Sequence, residues 1–262
     1  MGIFSTKQDT ILWEIAVILL HGDFLQNVRA TDFDTAQLRL NVHDTNEHTP
    51  QFIGTPYRVE VLENIPIRSS VFQVSAVDGD RRENGRLRYV LLQGTQNFEI
   101  DDVSGVIKTR ANLDREIADR ALLMVEVHDH GTPPKSTTVM VSVHILDEND
   151  NAPVFSRDRF ISAVSDGVSI GQVVMQINAV DADAGKNAKL SYRFVHSNNP
   201  SCHDFSIDPL SGVIRVAQKL NDERASHIPA CNVKVVATDG GVPTLSSTAE
   251  ITIEIVSLND II

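Results

Sequence analysis

Cysteine is scarce in this chain, with two among 262 residues, Cys202 and Cys231. That number excludes a multi-cysteine zinc framework and a disulfide-dense scaffold. The two either bond to each other in an oxidising compartment or stand as small core residues or free thiols. Aromatic residues make up only 5%, and Trp13 is the single tryptophan. Basic charge is short as well: Lys+Arg of 23 against Asp+Glu of 35 leaves a net charge of −12. This balance opposes binding to nucleic acid or an anionic membrane face and suits hard cations or protein partners.

Membrane-spanning runs are missing too. The stretch from Ile11 to Leu20 is apolar except for Glu14, and its ten residues are too few to cross a hydrocarbon layer of about 30 Å. It reads either as a signal-peptide core behind Lys7, with Asp9 in the flank and no clear A-x-A site, or, in preference, as the remnant of a truncated repeat or an alternative first exon. No N-x-S/T acceptor remains once Asn199-Pro200-Ser201 is set aside for its proline, so glycosylation is silent about compartment. Serine-hydrolase, zinc-protease, phosphate-loop and dinucleotide fingerprints are all absent, and no enzyme is expected.

What is present is self-similarity. Asp44-Thr-Asn46-Glu-His-Thr-Pro50-Gln-Phe52 returns as Asp147-Glu-Asn149-Asp-Asn-Ala-Pro153-Val-Phe155, an offset of 103 residues. The offset persists through Asp78, Asp80, Asn84, Leu87 and Tyr89, which meet Asp181, Asp183, Asn187, Leu190 and Tyr192. After small insertions Asp129-His-Gly131-Thr-Pro133 meets Asp239-Gly-Gly241-Val-Pro243. A period near this length means tandem domains.

Apolar residues alternate at Tyr57, Val59, Val61, at Val139, Val141, Val143, Ile145, and at Ile251, Ile253, Ile255. Period two means strands with one buried face. Turn signals recur at short intervals and no strong amphipathic helix interrupts them, which predicts an all-β chain of antiparallel sandwiches with about seven strands per repeat. The 42% apolar content suffices for packed cores. The expected division is 1–49 as the end of a preceding repeat, with Leu38, Leu40 and Val42 on its last strand, then repeats at 50–152 and 153–262. Both ends read as cut, as in a piece of a longer array or a shortened product.

Acidic clusters gather at strand ends and turns, at Glu63, Asp114 with Glu116, Glu148 to Asn151, Asp181 with Asp183, and Asp239. Calcium takes about six to eight oxygens from carboxylates, amides and carbonyls, and this mixture suits it better than magnesium or zinc. An EF-hand is excluded, since Asp78-Gly-Asp80-Arg-Arg82 puts arginine where that loop needs an oxygen. Isolated acidic clusters are usually solvated surface; the ordered, repeated set reverses that expectation at the central linker.

Leu113-Asp-Arg-Glu116, Asp147-Glu-Asn-Asp-Asn151, Asp181-Ala-Asp183, Leu62-Glu-Asn64 and the Asp-x-Gly at Asp129 together resemble the motif set of cadherin repeats over about Asp44 to Asp260. The resemblance implies tandem Greek-key sandwiches joined end to end, with calcium shared between the base of one repeat and the top of the next. It implies ligands at the central linker from Glu63, Asp114, Glu116 and Asp150 side chains and the Glu148 carbonyl above. Asn149, the Asn151 carbonyl, Asp181, Asp183, the Asn187 carbonyl and Asp239 join them from below.

At the first linker Asn46, Asp78, Asp80, Asn84 and Asp129 fit the pattern, but Glu47 and His48 replace aspartate and asparagine, so fewer ions are expected. At the far end Asp166 stands where Glu63 does, Asn221 replaces Asp114 and Ser257 replaces Asp147, with Glu223, Asn259 and Asp260 retained; that end is expected to be empty or weak. His128, His130, His43 and His48 are read as non-catalytic.

The same resemblance implies calcium-dependent cell–cell adhesion, homophilic or heterophilic, with other cadherin ectodomains as partners. It also implies a place on the extracellular side of the plasma membrane and a membrane-anchored parent protein. The alternative is a non-adhesive structural spacer within a larger receptor. The style of repeat is similar to long Fat-like, Dachsous-like or protocadherin members.

Overall fold

A computed structural model describes residues 10–15, 36–41, 44–195, 200–220 and 231–256. The alternating segments all become strands. β1 (Thr10–Ile15) pairs antiparallel with β2 (Ala36–Asn41), so half of the apolar run lies in a strand and Ala16 to Leu20 fall outside the described residues. No helix among the described residues is long and apolar enough to cross a membrane.

The first sandwich contains β3 (Gln51–Ile53), β4 (Tyr57–Leu62), β5 (Ser70–Gln73), β6 (Ser75–Val77), β7 (Arg88–Gln93), β8 (Phe98–Ile100), β9 (Val106–Thr109), β10 (Arg120–His128) and β11 (Ser136–Leu146). One sheet runs β4-β11-β10-β7; the facing layer is β5-β9-β8 with the β3-β6 pair beside it. The nine segments amount to seven strands, because β3 with β4 and β5 with β6 are each one strand that breaks and continues. At the first break Gly54 takes a φ of 80°, a conformation that favours glycine, and Pro56 has no N–H to give either ladder.

The second sandwich repeats this plan. Its segments are β12 (Val154–Phe155), β13 (Arg159–Ser165), β14 (Val173–Gln176), β15 (Ala179–Val180), β16 (Ser191–Phe194), β17 (Phe205–Ile207), β18 (Val213–Val216), β19 (Cys231–Thr238) and β20 (Ser246–Val256). The sheets run β13-β20-β19-β16 and β14-β18-β17 with a β12-β15 pair.

One expectation needs correction: the sheets are mixed. β4 runs parallel to β11, from Tyr57 beside Val141 to Leu62 beside Leu146, and β13 runs parallel to β20. The first strand crosses between layers at its break and lands beside the last, pointing the same way. Alternation reports which face of a strand is buried and carries no information about which neighbour it pairs with.

The buried faces close two separate cores. Tyr57, Val59, Val61, Leu123, Val125 and Val141 of one sheet face Phe98 and Ile107 of the other in the first; Val233, Val235, Ile251 and Ile253 face Ile177, Phe205 and Ile214 in the second. Tyr89 and Tyr192 play the same part in each, accepting from the N–H groups of Ala76 and Ala179 at 3.0 and 3.1 Å. The cysteines are bonded: Cys202, in a short 3-10 turn at Pro200–Asp204, joins Cys231 at the start of β19, with Cα atoms 4.8 Å apart.

Candidate metal centre

The acidic motifs converge where the sandwiches meet, because β4, β11 and the Leu113–Glu116 loop end at one level. Glu63 follows β4 and donates its N–H to Leu146 at 3.0 Å, while Asn64 donates to Leu113 at 3.2 Å. The Glu63 side chain is 1% exposed. One of its oxygens accepts from the Arg115 N–H at 2.7 Å and the other from the Glu148 N–H at 2.8 Å. Carboxylate oxygens of Glu63, Asp114 and Glu116 come within 4.8 Å of one another.

The second sandwich supplies the other half. Carboxylate oxygens of Glu116, Asp147 and Asp183 also lie within 4.8 Å of one another, so groups from both sandwiches share one cluster. Asp183 and Asp181 belong to the turn after β15, where Asp181 accepts from the Asp183 N–H at 2.9 Å. Asn149 donates to Asp239 at 3.0 Å and to the Pro243 carbonyl at 2.6 Å. Asp239 is held in turn by the N–H groups of Gly241 and Leu245. Asp150 accepts from Asn64 at 2.5 Å and from Asn151 at 2.7 Å, and the Asn151 amide reaches Asp183 at 2.9 Å. The Glu148 carbonyl accepts the Asp150 N–H at 3.1 Å.

Three residues went unassigned in the sequence reading. Asp147 sits inside the shared cluster and accepts from Ala184 and Asn187 across the junction at 3.0 and 2.8 Å. Its recurrence as Asp44, with the same spacing to asparagine, was the available signal. Arg115 pairs with Asp147 at 2.5 Å and with Glu116, and donates to the Ala182 carbonyl at 2.8 Å. Asn64, at a φ of 56°, turns its amide onto Asp150; Arg115 and Asn64 both stand inside the repeated motifs, which give neither of them a role.

The first linker copies the lower half of this arrangement. Asn46 donates to Asp129 at 3.3 Å and to the Pro133 carbonyl at 2.7 Å. Asp78 accepts from the Asp80 N–H at 2.8 Å, and Asp44 accepts from Asn84 at 3.1 Å. Burial alone would raise the Asp129 carboxyl, but the N–H groups of Lys135 and Gly131 and the Asn46 amide hold it below the usual range. At the far end Asp166 is 9% exposed and donates its N–H to Val256 at 3.1 Å, as Glu63 does to Leu146. Asn221, Glu223, Ser257, Asn259 and Asp260 lie outside the described residues.

Electrostatically the central cluster is unfavourable by itself. Burial, with the charge of Glu63 adding to it, pushes the Glu116 carboxyl up against the pull of Arg115. Burial likewise raises Asp183, with Asp181 and Asp147 adding to it against the bonds from Asn151. Like charges about 4 Å apart repel by about 1 kcal/mol in water and more when desolvated.

Buried polar atoms almost always find a partner. Among the described residues Asn149 Oδ1 and Asp181 Oδ2 at the central linker accept no hydrogen bond, nor do Asn46 Oδ1, Asp78 Oδ2, Asp80 Oδ1 and Asp129 Oδ2 at the first; Arg115 Nε, the one nitrogen at either linker in the same position, instead faces Asp147 as an ion pair. The six oxygens fit the donor set of a hard cation.

The turn glycines make room for these asparagines. A Cβ on Gly241 would fall 2.1 Å from Asn149 Cγ, and one on Gly131 would fall 2.1 Å from Asn46 Cγ. Gly241→Ala is therefore expected to evict Asn149 and to weaken any uptake of a hard cation at this junction by about tenfold, as loss of a supporting group does at metal sites. Calorimetric titration with calcium chloride reads this, and an unchanged isotherm would exclude a role for Asn149.

The cadherin-domain family model matches residues 57–146 and 160–256. Mouse cadherin EGF LAG seven-pass G-type receptor 1 is 37% identical over 227 residues, covering 86% of this chain and 7% of that protein. Drosophila melanogaster protein dachsous is 37% identical over 223 residues, covering 84% of this chain and 6% of its own length. This chain thus spans less than a tenth of either relative. Among solved structures, mouse cadherin-23 EC22-24 superposes with a TM-score of 0.76 at 29% identity, covering 87% of this chain and 71% of that one. With two matched domains, an all-β tandem architecture and a relative 37% identical that is itself named a cadherin, the chain belongs to the cadherin family.

Proposed function

We propose that this chain is a calcium-stiffened segment of an extracellular cadherin rod and that it serves calcium-dependent cell–cell adhesion, with other cadherin ectodomains as partners. One observation carries the reading: Glu116 from the first sandwich shares a cluster with Asp147 and with Asp183 from the second. The ligands at the central linker are Glu63, Asp114, Glu116, Asp147, Asp150, Asn149, Asp181, Asp183 and Asp239, with carbonyls of Glu148, Asn151 and Asn187. Asn46, Asp78, Asp80, Asn84 and Asp129 form the weaker first site.

A bound calcium ion supplies the positive charge that turns carboxylate repulsion into attraction. Extracellular modules bind calcium with Kd of about 10⁻⁴–10⁻³ M, so at about ten times Kd each site stabilises the bound form by roughly 1.4 kcal/mol. Because both sandwiches contribute ligands, that energy goes partly into fixing the angle between them, which a short linker would leave mobile. Its parent protein is anchored in the plasma membrane.

Small-angle scattering with and without a calcium chelator is the test. Chelation is expected to broaden the distance distribution and to expose residues 147–153 to protease. Superimposable curves would remove the rod reading. Coated beads that aggregate only with calcium would support adhesion. Calcium binding without aggregation would assign this segment a spacer role, which its small share of the relatives' length also accommodates.

A further inference from the structure

At the first linker the pattern breaks at two adjacent residues, and the break has its own chemistry. Glu47 and His48 stand where the second linker has Asp150 and Asn151. In the second linker both Asp183 oxygens are occupied: the Asn151 amide donates to Oδ1 at 2.9 Å and its backbone N–H to Oδ2 at 3.4 Å. In the first, the His48 N–H donates to Asp80 Oδ2 at 2.9 Å, but among the described residues no donor reaches Asp80 Oδ1. Instead His48 Nε2 faces that oxygen at 3.9 Å, and the Asp80 side chain is only 1% exposed. Glu47 Oε1 lies 3.9 Å from the same Nε2, and all three ligand atoms fall within 4.8 Å of one another.

A second difference accompanies the first. The residue between the two aspartates is Gly79 in this turn and Ala182 in the equivalent one. A Cβ on Gly79 would sit 2.8 Å from the His48 ring. The imidazole therefore occupies space that the second linker fills with a methyl group, and its placement against Asp80 depends on the glycine. A solvated histidine beside a glutamate is ordinarily a weak surface pair; it requires neither a glycine cradle nor a buried oxygen without a donor.

We propose that His48 Nε2, Asp80 Oδ1 and Glu47 Oε1 form a site for a zinc-class divalent ion at the first linker. Imidazole nitrogen is a good ligand for zinc and a poor one for calcium, which takes oxygens. Zinc bonds of about 2.0–2.2 Å hold tetrahedral ligand atoms about 3.4 Å apart, so the pairs now at 3.9 Å have to close by about half an ångström on the ion. His48 and Glu47 are 54% and 72% exposed, so both can close on the ion, and a water can complete a four-coordinate shell. The site stands whether or not the central linker takes calcium, because only Asp80 also belongs to the oxygen set at its own linker.

The test is calorimetric titration of the whole chain with zinc chloride in calcium-free buffer, so that no calcium competes for Asp80, compared across three proteins. His48→Asn installs the residue of the equivalent linker and is expected to keep the fold and calcium binding while raising the apparent zinc Kd at least about tenfold. Gly79→Ala, which leaves the ligands intact, is expected to weaken zinc similarly by displacing the ring. Proton NMR should show the His48 ring resonances shifting as zinc binds. The assignment is overturned if both variants hold zinc within about twofold of the parent, or if zinc shifts other histidines and leaves His48 unmoved.

Discussion

Glu63→Ala is expected to destabilise the first repeat by about 3–5 kcal/mol in chelator-containing buffer, before any ion is considered. Two half-buried backbone donors, the N–H groups of Arg115 and Glu148, end on this one buried carboxylate at 2.7 and 2.8 Å. Each charge-assisted bond contributes about 1.5–3 kcal/mol, and alanine leaves both donors without a partner. Glu63→Gln separates the causes. Its amide offers an oxygen to one donor and an NH2 to the other, so about half the loss is expected in chelator. In calcium the glutamine variant is expected to fall further behind the parent, because the ligand charge proposed for Glu63 is gone. Urea titrations with and without calcium measure both effects. A loss below about 1 kcal/mol for the alanine variant would mean that the junction does not depend on Glu63.

Removing the disulfide comes next in size. The bond closes a loop with a sequence separation of 29, and the chain-entropy account of unfolded-state restriction gives about 3–4 kcal/mol for such a loop. Both sulfurs belong to the second core, packed with Val233, Phe205 and Ile253, and neither touches the first. Replacing Cys202 and Cys231 by alanine should therefore lower the unfolding transition of the second repeat by more than about 10 °C and leave that of the first in place. Differential scanning calorimetry resolves the two transitions when calcium is chelated. A parallel fall in both would show that the repeats unfold as one unit.

Much of this was legible in residue order. The repeat offset, the alternation at Tyr57 to Val61 and Val139 to Ile145, and the turn signals led directly to two sandwiches, since burying one face of a strand imposes period two on any sequence that does it. The broken first strand was harder. Gly54 to Pro56 reads as an ordinary turn, and only the packed layers show that the chain crosses there and pairs in parallel with the last strand. Asp147 was visible in the same repeat and was missed, whereas the role of Arg115 was not visible: arginine beside a ligand carboxylate reads as surface until its guanidinium is seen reaching Asp147. Whether Cys202 and Cys231 pair depended on the path of the turn that brings them together.

The sequence by itself determined the fold class, the tandem plan and the kinds of donor at each linker, because these follow from periodicity and from residue chemistry at fixed spacing. Tertiary structure alone decided which of those donors face one another. Glu116 and Asp183 are separated by more than half a repeat of chain, and their approach depends on how two independently packed cores abut. The same holds for His48 and Asp80, whose approach depends on the absence of a side chain on Gly79.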